Sequence, residues 1–293
     1  MPFLLKSFAS VLAPSLTLIF NRSLHSGVVP SGFKKANIAA VPKNNEGDLL
    51  PLSNYRPISL TAVLFIVLEK FVQLQLEVLF ESRQPLDDLQ FGFRRQRSAS
   101  HLLTKAVNDW LLARNYGLTT AVVFIDLSKA FDRVRHQPLL LDLHAAGVCG
   151  SALAWFASYL SGRCQRVVSS SGTSSYLPVT RGVPQGSVLG PFLFNLFVAH
   201  LPRLAAEHAA TLLLFADDKT LYSSHRSLAC AAASASCAFG AIADSLEKTG
   251  LSLNQPKTVS MFIRPPRGAE DAVPVIVNSA PLQVVSTVRC LGV

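Results

Sequence analysis

Two apolar runs that favour β-structure dominate the chain, and each of them ends in aspartate. Residues 119–125 read TTAVVFI and are followed by Asp126. Residues 211–216 read TLLLFA and are followed by Asp217 and Asp218. A continuous run of this kind is typical of a strand that is buried on both faces. Because a further strand candidate follows Asp217 and Asp218, we expect three carboxylates to meet at one edge of a sheet.

A cluster of carboxylates beside apolar strands requires a compensating charge. Acids held close together repel one another and resist ionisation, and burial adds to that cost. Mg²⁺ prefers oxygen ligands and is often held by one or two carboxylates together with substrate phosphates. Two such ions can activate an attacking hydroxyl and stabilise the leaving oxygen of a displacement at phosphorus. Asp is also common in turns and caps, so a purely structural role for these residues remains the alternative.

The charge of the chain favours an anionic partner. Its 27 Lys and Arg residues exceed its 18 Asp and Glu residues and give a formal net charge of +9. Nucleic acid is the first candidate for such a basic chain, and an anionic membrane surface is the second. The content of 49% hydrophobic and 15% charged residues excludes a disordered, collagen-like or coiled-coil protein.

The cysteines and the apolar segments indicate the compartment. Five cysteines without a CxxC pair predict neither a disulfide framework nor a zinc ribbon, so we expect reduced thiols in an intracellular protein, either nuclear or cytoplasmic. The first 20 residues lack the basic start of a signal peptide, and Pro14 interrupts their apolar stretch. The Ala- and Ser-rich segment 228–243 is expected to be a packed helix, and no membrane partner is expected.

Gly, Pro and Ser residues mark the boundaries of the other elements. The spacing of apolar residues predicts helices over 14–26, 62–82, 98–115 and 227–248, with Gly27, Ser98 and Gly250 at their ends. One long apolar helix is predicted from the turn at 181–186 to about Ala206. Residues 163–170 and 173–179, separated by Ser-Gly, predict a hairpin.

Seven segments in the same order resemble the motifs of one protein family. The chain resembles the palm motifs of non-LTR (LINE-type) retrotransposon reverse transcriptases in VVFIDLSKAFD (122–132), GVPQGSVLGP (182–191) and FADD (215–218). The resemblance extends to NYRPISL (54–60), QFGFR (90–94), LNQPKT (253–258) and CLGV (290–293). It covers the chain from about Lys34 to the last residue, so coincidence is negligible.

The resemblance implies an RNA-directed DNA polymerase. In this reaction the 3′-hydroxyl of a DNA primer on an RNA template attacks the α-phosphorus of an incoming dNTP, and pyrophosphate leaves. The catalytic carboxylates would be Asp126, Asp217 and Asp218. The backbone carbonyl of Leu127 would complete a site for two Mg²⁺ ions, for which Mn²⁺ can substitute. Catalysis of this kind depends mainly on positioning and charge stabilisation.

Motif positions also imply a nucleotide site and a template site. Phe131 matches the aromatic position that packs under the sugar and excludes a 2′-hydroxyl. Contacts with the nucleotide are implied for Lys43, Arg56, Gln185 and Lys257. Contacts with the template backbone are implied for Arg94, Arg95 and Arg97. The alternative for Phe131 is an ordinary core phenylalanine. The alternative for Lys43 and Lys257 is a lysine in solvent, and for the three arginines it is a basic turn in solvent.

The resemblance further implies an α+β right-hand polymerase with a small antiparallel palm sheet backed by helices. Residues 1–118 would form an N-terminal extension and the fingers, and residues 119–293 the palm, with a fingers-associated segment near 147–179. The chain ends at the motif that begins the primer grip in the family, so the thumb is expected to be absent.

Lys219 departs from the family pattern, which usually has a small polar residue such as Thr at this position. An ammonium beside metal-binding carboxylates would compete with Mg²⁺, and we expect the side chain to point away along the strand. Two other functions remain: a catalytically inactive truncated remnant that only binds nucleic acid, and a two-metal nuclease. The nuclease is the weaker, because it gives no role to Phe131, Arg56 and Gln185. The sequence leaves the oligomeric state open.

Overall fold

The structure, a computed structural model, describes residues 7–43, 51, 54–83, 86–169, 172–264, 274–277 and 280–291. The chain divides into two units, each built from two segments of the sequence. Unit 1 comprises Met1–Pro85 and Val134–Leu196, and unit 2 comprises Leu86–Arg133 and Phe197–Val293. Each unit combines helices with a sheet, so the predicted α+β class is confirmed.

The elements are named here in chain order. The α-helices are α1 Ala9–Ser26, α2 Val63–Arg83, α3 Ala99–Asn115, α4 Ala130–Arg133, α5 His136–Ala145, α6 Gly150–Leu160, α7 Gly190–Phe197, α8 Leu201–Ala206 and α9 Leu228–Thr249. The strands are β1 Lys35–Pro42, β2 Tyr55–Leu60, β3 Thr119–Ile125, β4 Arg163–Ser169, β5 Gly172–Thr173, β6 Leu177–Val179, β7 Thr211–Phe215, β8 Asp218–His225, β9 Val259–Ile263, β10 Ile276–Val277, β11 Ala280–Pro281 and β12 Gln283–Val284.

Helix ends follow the capping residues that the sequence predicts. The hydroxyl of Ser98 accepts a hydrogen bond from the backbone N–H of His101 at 3.3 Å and caps α3. Gly27 and Gly250 adopt φ angles of 66° and 92° directly after α1 and α9. This left-handed conformation ends a helix at least cost when the residue is glycine.

One predicted helix is wrong. The apolar segment that was expected to form a single helix to about Ala206 forms two, α7 and α8, with turns at residues 198–200 between them. Pro202 lies in the first turn of α8. Proline has no N–H donor, and its ring conflicts with a helical turn before it, so the chain starts a new helix there.

Unit 1 contains a mixed sheet in the order β2-β1-β4-β5, with β6 also paired to β4. Strand β1 is antiparallel to β2 and parallel to β4. The antiparallel pairing of β4 and β6 confirms the predicted hairpin, although residues 170–171 of its turn lie outside the described residues. The aromatic core of the unit contains Trp155 stacked on Tyr159, with ring centroids 5.5 Å apart, and Phe65 at 5.8 Å from Tyr159.

Unit 2 contains a sheet in the order β12-β9-β3-β8-β7. Strand β3 is antiparallel to both β8 and β9, and β7 and β8 form a hairpin, so the predicted antiparallel arrangement is confirmed for β9, β3, β8 and β7. The edge strand β12 pairs with β9 in parallel, so the sheet as a whole is mixed. Helix α3 packs against this sheet, because Leu102 and Ala106 share a buried cluster with Val122, Leu213 and Tyr222. Helix α9 contacts β3 and β8.

Helix α9 is the one helix among the described residues whose length and composition would allow it to cross a membrane. Its buried residues include Phe239, Ile242 and Leu246. Because these side chains are buried and the helix contacts two strands of the sheet, the predicted packed helix is confirmed.

The predicted ranges of fingers and palm do not coincide with the two units. Helix α3 lies in the range 1–118, yet it belongs to unit 2, because Leu102 and Ala106 are buried against the sheet of that unit. Unit 1 includes all of 134–196, which is longer than the segment 147–179 that was expected to join the fingers. The assignment of fingers and palm to these ranges stays a prediction.

Candidate active site

Strand pairing determines where the predicted acids lie. Strands β3 and β8 are antiparallel, with Ile125 opposite Lys219. The next position on each strand therefore places Asp126 opposite Asp218. The two acids, which are far apart in the sequence, are brought together by the register of one strand pair.

The turn that carries Asp217 has an unusual backbone. Phe215 pairs with Asp218, which leaves Ala216 and Asp217 as the two turn residues. Ala216 has a φ angle of 55°, and this left-handed conformation costs a residue with a side chain roughly 1 kcal/mol or more. A turn of this kind persists when the surrounding structure holds it in place.

The QFGFR motif supports this turn from within unit 2. The backbone N–H of Leu214 donates to the carbonyl of Leu89 at 2.9 Å, and the N–H of Phe91 donates to the carbonyl of Leu214 at 2.8 Å. Gly92 stands so close to the turn that a Cβ atom on it would lie 2.3 Å from the backbone nitrogen of Ala216. Glycine is required at this position because any side chain would collide with the backbone that leads to Asp217.

The three acids interact electrostatically. Asp126 is half-buried, whereas Asp217 and Asp218 are exposed. Partial burial of its carboxyl raises the pKa of Asp218, and the charges of Asp217 and Asp126 raise it further, while Lys219 acts in the opposite direction. The repulsion expected from the sequence is therefore present in the structure.

Lys219 lies among the acids, so the expectation that it points away along the strand is wrong. Its side chain is 2% exposed, and Nζ donates to the backbone carbonyl of Asp217 at 3.3 Å. Burial lowers the pKa of Lys219 to about 8, although the carboxylates of Asp217, Asp218 and Asp126 raise it. The physical reason is position: β8 lies between β3 and β7, so a covered side chain has no route to solvent.

Asn254 anchors Asp126 and was missed in the sequence. The backbone N–H of Asn254 donates to the carbonyl of Asp126 at 2.9 Å, and the Asn254 side-chain amide donates to the Asp126 carboxylate. The backbone N–H of Asp126 donates to Thr258 Oγ1 at 3.3 Å. Asn254 lies in the LNQPKT motif, from which a role was predicted only for Lys257. Lys257 is exposed in the structure.

The donor atoms at this edge suit a divalent cation. Carboxylate and carbonyl oxygens are the ligands that Mg²⁺ prefers. The isolated bridge between Leu127 and Leu253 runs through the carbonyl of Asp126 and the N–H of Ser128, so it does not use the carbonyl of Leu127. Within the described ranges, no group of three or more Asp, Glu, His or Cys side chains is arranged to hold an ion.

Phe131 has an aromatic neighbour that the sequence analysis did not single out. Phe131 lies half-buried on the short helix α4. Phe93, from the QFGFR motif, meets it edge to face with ring centroids 6.3 Å apart. Phe93 is 55% exposed and has a φ angle of 51°. An exposed aromatic ring on a strained backbone next to Phe131 marks it as a functional candidate.

The arginines implied for template binding differ in their surroundings. Arg94 Nη1 donates to the carbonyl of Asp87 at 2.6 Å. Arg97 forms an ion pair with the exposed carboxylate of Asp88 at 2.9 Å. Arg95 is exposed. Two of the three guanidinium groups are therefore held by the preceding turn, which orders a basic surface in unit 2.

In unit 1 the structure brings Gln185 next to the strand that carries Arg56. The backbone N–H of Ser59 donates to the carbonyl of Gln185 at 2.7 Å, and Arg56, three residues earlier on β2, is exposed. Lys43 is exposed beyond the end of β1, and its N–H donates to the carbonyl of Asn54 at 2.8 Å. Residues 44–50 and 52–53 of the polar loop lie outside the described residues. The predicted nucleotide contacts are thus divided between the units, with Phe131 and Lys257 in unit 2.

Residues 41–293 match the protein family described as reverse transcriptase (RNA-dependent DNA polymerase). The chain belongs to the reverse transcriptase family. Proteins of this family use divalent metal ions and bind a nucleic acid template. The predicted resemblance is confirmed by both the family match and the relatives described next.

This reverse transcriptase is similar to proteins of mobile elements in insects. It is 36% identical over 222 residues to the probable RNA-directed DNA polymerase from transposon BS of Drosophila melanogaster, which covers 72% of this chain and 24% of the relative. It is 31% identical over 218 residues to the RNA-directed DNA polymerase from mobile element jockey of the same species, covering 73% and 24%. The relationship to non-LTR retrotransposons is thereby confirmed. The chain spans about a quarter of the length of these relatives.

Solved structures with the same fold include telomerases. Apo telomerase from Candida tropicalis, truncated from its C-terminal domain, matches with a TM-score of 0.57 and 15% identity over 83% of this chain and 52% of that chain. Telomerase from Candida albicans matches with a TM-score of 0.54 and 14% identity over 79% and 43%. At such low identity the likeness shows the fold alone, and it confirms the predicted right-hand polymerase fold.

Replacing Gly92 by Ala should displace the turn that carries Asp217. The added methyl would meet the backbone of Ala216 at 2.3 Å, so we expect a loss of about 1–3 kcal/mol in the free energy of unfolding, measured with denaturant, and loss of Mn²⁺ binding. Gly240→Ala is the matched control, because nothing lies within 4 Å of the added atom and alanine favours the helix. If Gly92→Ala had wild-type stability and wild-type Mn²⁺ affinity, the close contact of Gly92 would not be what holds the turn of Asp217 in place.

Replacing Lys219 by Thr should strengthen metal binding. The change removes a positive charge beside the acids, and two unit charges about 4 Å apart interact by about 1 kcal/mol even in water. We expect the Kd for Mn²⁺, measured by electron paramagnetic resonance without nucleotide, to fall at least about fivefold. The exposed Lys248 provides the control Lys248→Thr, which should leave the Kd unchanged. An equal Kd in both variants would show that the ammonium does not compete with the metal.

Proposed function

We propose that the chain is the RNA-directed DNA polymerase core of a non-LTR retrotransposon. It would transfer a deoxynucleotide from a dNTP to the 3′-hydroxyl of a DNA primer paired with an RNA template. The observation that carries this proposal is the antiparallel register that sets Asp126 opposite Asp218 beside the Asp217 turn, in a chain of the reverse transcriptase family.

The acids would hold two Mg²⁺ ions, for which Mn²⁺ can substitute. Asp126, Asp217 and the carbonyl of Leu127 are the principal donors, with Asp218 beside them. When bound, the ions lower the pKa of the attacking hydroxyl and stabilise the leaving oxygen. The protein contributes by holding these oxygens in place: Asn254 orients the carboxylate of Asp126, and the close contact of Gly92 holds the turn of Asp217.

The remaining site residues would bind the substrates. Arg56 and Gln185 in unit 1 would contact the triphosphate and the nucleotide, with Lys43 as a further cation. Phe131 would pack under the sugar and exclude a 2′-hydroxyl, and Lys257 would stabilise the departing pyrophosphate. Arg94, Arg95 and Arg97 would contact the template backbone, where positive charge supplies affinity independent of sequence.

The cellular setting belongs to the same proposal. All five cysteines are free in the structure, which suits a reducing intracellular compartment, nuclear or cytoplasmic. The fingers would lie within residues 1–118 and the palm within 119–293.

A second candidate function is a remnant that binds nucleic acid without catalysis. The buried amine of Lys219 favours it, because a positive charge among the acids, present at pH values below its pKa of about 8, reduces their affinity for metal. The basic surface of Arg94, Arg95 and Arg97 would serve either function. The two candidates differ in the role of Asp217: a polymerase needs it for primer extension, whereas a remnant would bind nucleic acid without it.

Replacing Asp217 by Asn should abolish primer extension without destabilising the protein. We expect no extension of a DNA primer on an RNA template with Mg²⁺ or Mn²⁺, and an unchanged or higher Tm without metal, because the change removes repulsion among the acids. The exposed Asp244 on α9 gives the matched control Asp244→Asn, which should extend normally. RNA binding by all three proteins with extension by none would support the remnant, and a strong loss of stability in Asp217→Asn would support a structural role.

Replacing Phe131 by Val should weaken discrimination against ribonucleotides. The smaller side chain leaves space for a 2′-hydroxyl, so we expect the ratio of kcat/KM for dNTP over the matching rNTP to fall at least about tenfold. Phe93→Val is the control, because it removes the neighbouring ring and leaves Phe131 in place. A ratio that changes equally in the two variants would remove Phe131 from the sugar site.

A further inference from the structure

Glu69 is a carboxylate buried in the interior of unit 1. It lies on α2 and is 0% exposed. Burial raises the pKa of Glu69, whereas its hydrogen bonds and the charge of Arg163 lower it. A charged group in the interior is costly unless it is paired and hydrogen-bonded. The metal site proposed above does not use this residue, so the partners of its two oxygens indicate what it does.

The partners of Glu69 belong to one loop and to the helix beside it. One oxygen accepts from the hydroxyl of Tyr159 on α6 at 2.7 Å. The other accepts from the backbone N–H of Val188 at 3.3 Å, and the N–H of Leu189 also donates to the carboxylate. The carboxylate therefore holds the backbone at Val188 and Leu189, which follow Ser187 after the Gln-Gly pair of the GVPQGSVLGP motif.

Ser187 extends this network through the loop. Its hydroxyl lies 3.2 Å from the hydroxyl of Tyr159, donates to the carbonyl of Pro184 at 2.8 Å and accepts from the N–H of Gly190 at 2.9 Å. The residues on either side of Gln185 are thus tied to one buried centre. On its other side the loop is joined to β2, where the N–H of Ser59 donates to the carbonyl of Gln185.

Arg163 supplies the compensating charge. Its side chain is 4% exposed, and Nη1 donates to the backbone carbonyl of Tyr159 at 3.2 Å. The guanidinium lies over the rings of Tyr159 and Phe65, at 5.2 Å and 5.7 Å from their centroids. Cation and ring interactions of this kind are strongest when desolvated. The charge of Arg163 lowers the pKa of Glu69 against the effect of burial and so favours the anion, in which both oxygens can only accept hydrogen bonds.

We propose that Glu69 is a positioning residue for Gln185. It holds the backbone of residues 187–189, and through that backbone it sets the place of the Gln185 side chain beside β2. This inference rests on the proposed function only where it takes Gln185 as a contact of the incoming nucleotide. Glu69 itself is buried and touches no substrate.

The test is the variant Glu69→Gln, which retains the volume and replaces one acceptor oxygen by a donor. If the new amide N–H₂ faces the backbone N–H of Val188, that hydrogen bond is lost; if it faces Tyr159, the tyrosine hydroxyl must accept and its own proton is redirected, so the network that holds the loop changes in either orientation. We expect the KM for dNTP in primer extension to rise about tenfold with kcat within about threefold of wild type, because the acids in unit 2 are unchanged. Glu77→Gln, on the same helix at a half-buried position, is the matched control and should change neither constant.

Hydrogen exchange separates the loop from the activity. In Glu69→Gln the amides of residues 187–190 should exchange at least about tenfold faster, with the amides of β3 unchanged. Tyr159→Phe should change both readouts in the same direction by a smaller factor, and it replaces Glu69→Gln if that protein does not fold. If amide exchange became faster by the same factor in residues 187–190 and in β3, Glu69 would be a packing residue only and the proposal would be overturned. Faster exchange of the loop amides with an unchanged KM for dNTP would also overturn it.

An inactive wild-type chain gives a distinct outcome. If it extends no primer, the proposed function fails, and the KM for dNTP cannot be the readout. Binding of a fluorescent dNTP to the chain then replaces it. Weaker binding together with faster loop exchange in Glu69→Gln would support the positioning role, and unchanged binding or unchanged exchange would overturn it.

Discussion

The antiparallel pairing of β3 with β8 is the constraint on which the candidate active site depends. A strand pair admits only registers that keep its apolar side chains covered, since a slip of one residue turns every side chain to the other face. Val122 on β3 and Tyr222 on β8 are opposite each other in the same buried cluster. The core of unit 2 therefore sets the register, and the register sets Asp126 against Asp218. Packing that is remote from the reaction thus determines the spacing of the acids.

Strand β8 also brings the positive charge of Lys219 among the acids. A buried lysine beside three acids partly neutralises them when no metal is present, and it avoids the full cost of bringing anions together. The arrangement favours a stable protein over a tightly bound cation. Unit 1 solves a related problem differently, because there a buried carboxylate is balanced by Arg163 and satisfied by backbone amides. In unit 1 the buried Glu69 lies next to the GVPQG motif, and in unit 2 the buried Lys219 lies next to the FADD motif.

Patterns with a local cause were predicted well from the sequence. The strands before Asp126 and Asp217, the Ser98 cap and the glycine ends of α1 and α9 all follow from residues that are close in the chain. The errors came from contacts between distant segments. Lys219 was expected to point away along the strand, because its burial depends on the strands to either side. Nothing local reveals that Leu102 of α3 shares a buried cluster with Leu213, and the assignment of α3 to the fingers stays a prediction. Asn254 and Glu69 were missed for the same reason, since the partners of their side chains lie 90 or more residues away in the sequence.

Because each unit is built from two separate segments of the sequence, the direction of synthesis determines the order in which the units can fold. Strand β1 needs its parallel partner β4, whose pairing joins Lys35 to Cys164, so the first unit has an unpaired strand edge until the ribosome has passed that point. At roughly 5–20 residues per second, such an edge is exposed for several seconds. The first unit is complete once Leu196 has emerged, whereas β3 must still wait for β8 and β9. In a nascent chain the loop that contains Gln185 would therefore fold before Asp126 and Asp218 meet. A chain whose synthesis ended between these points would contain β3 without its partners β8 and β9.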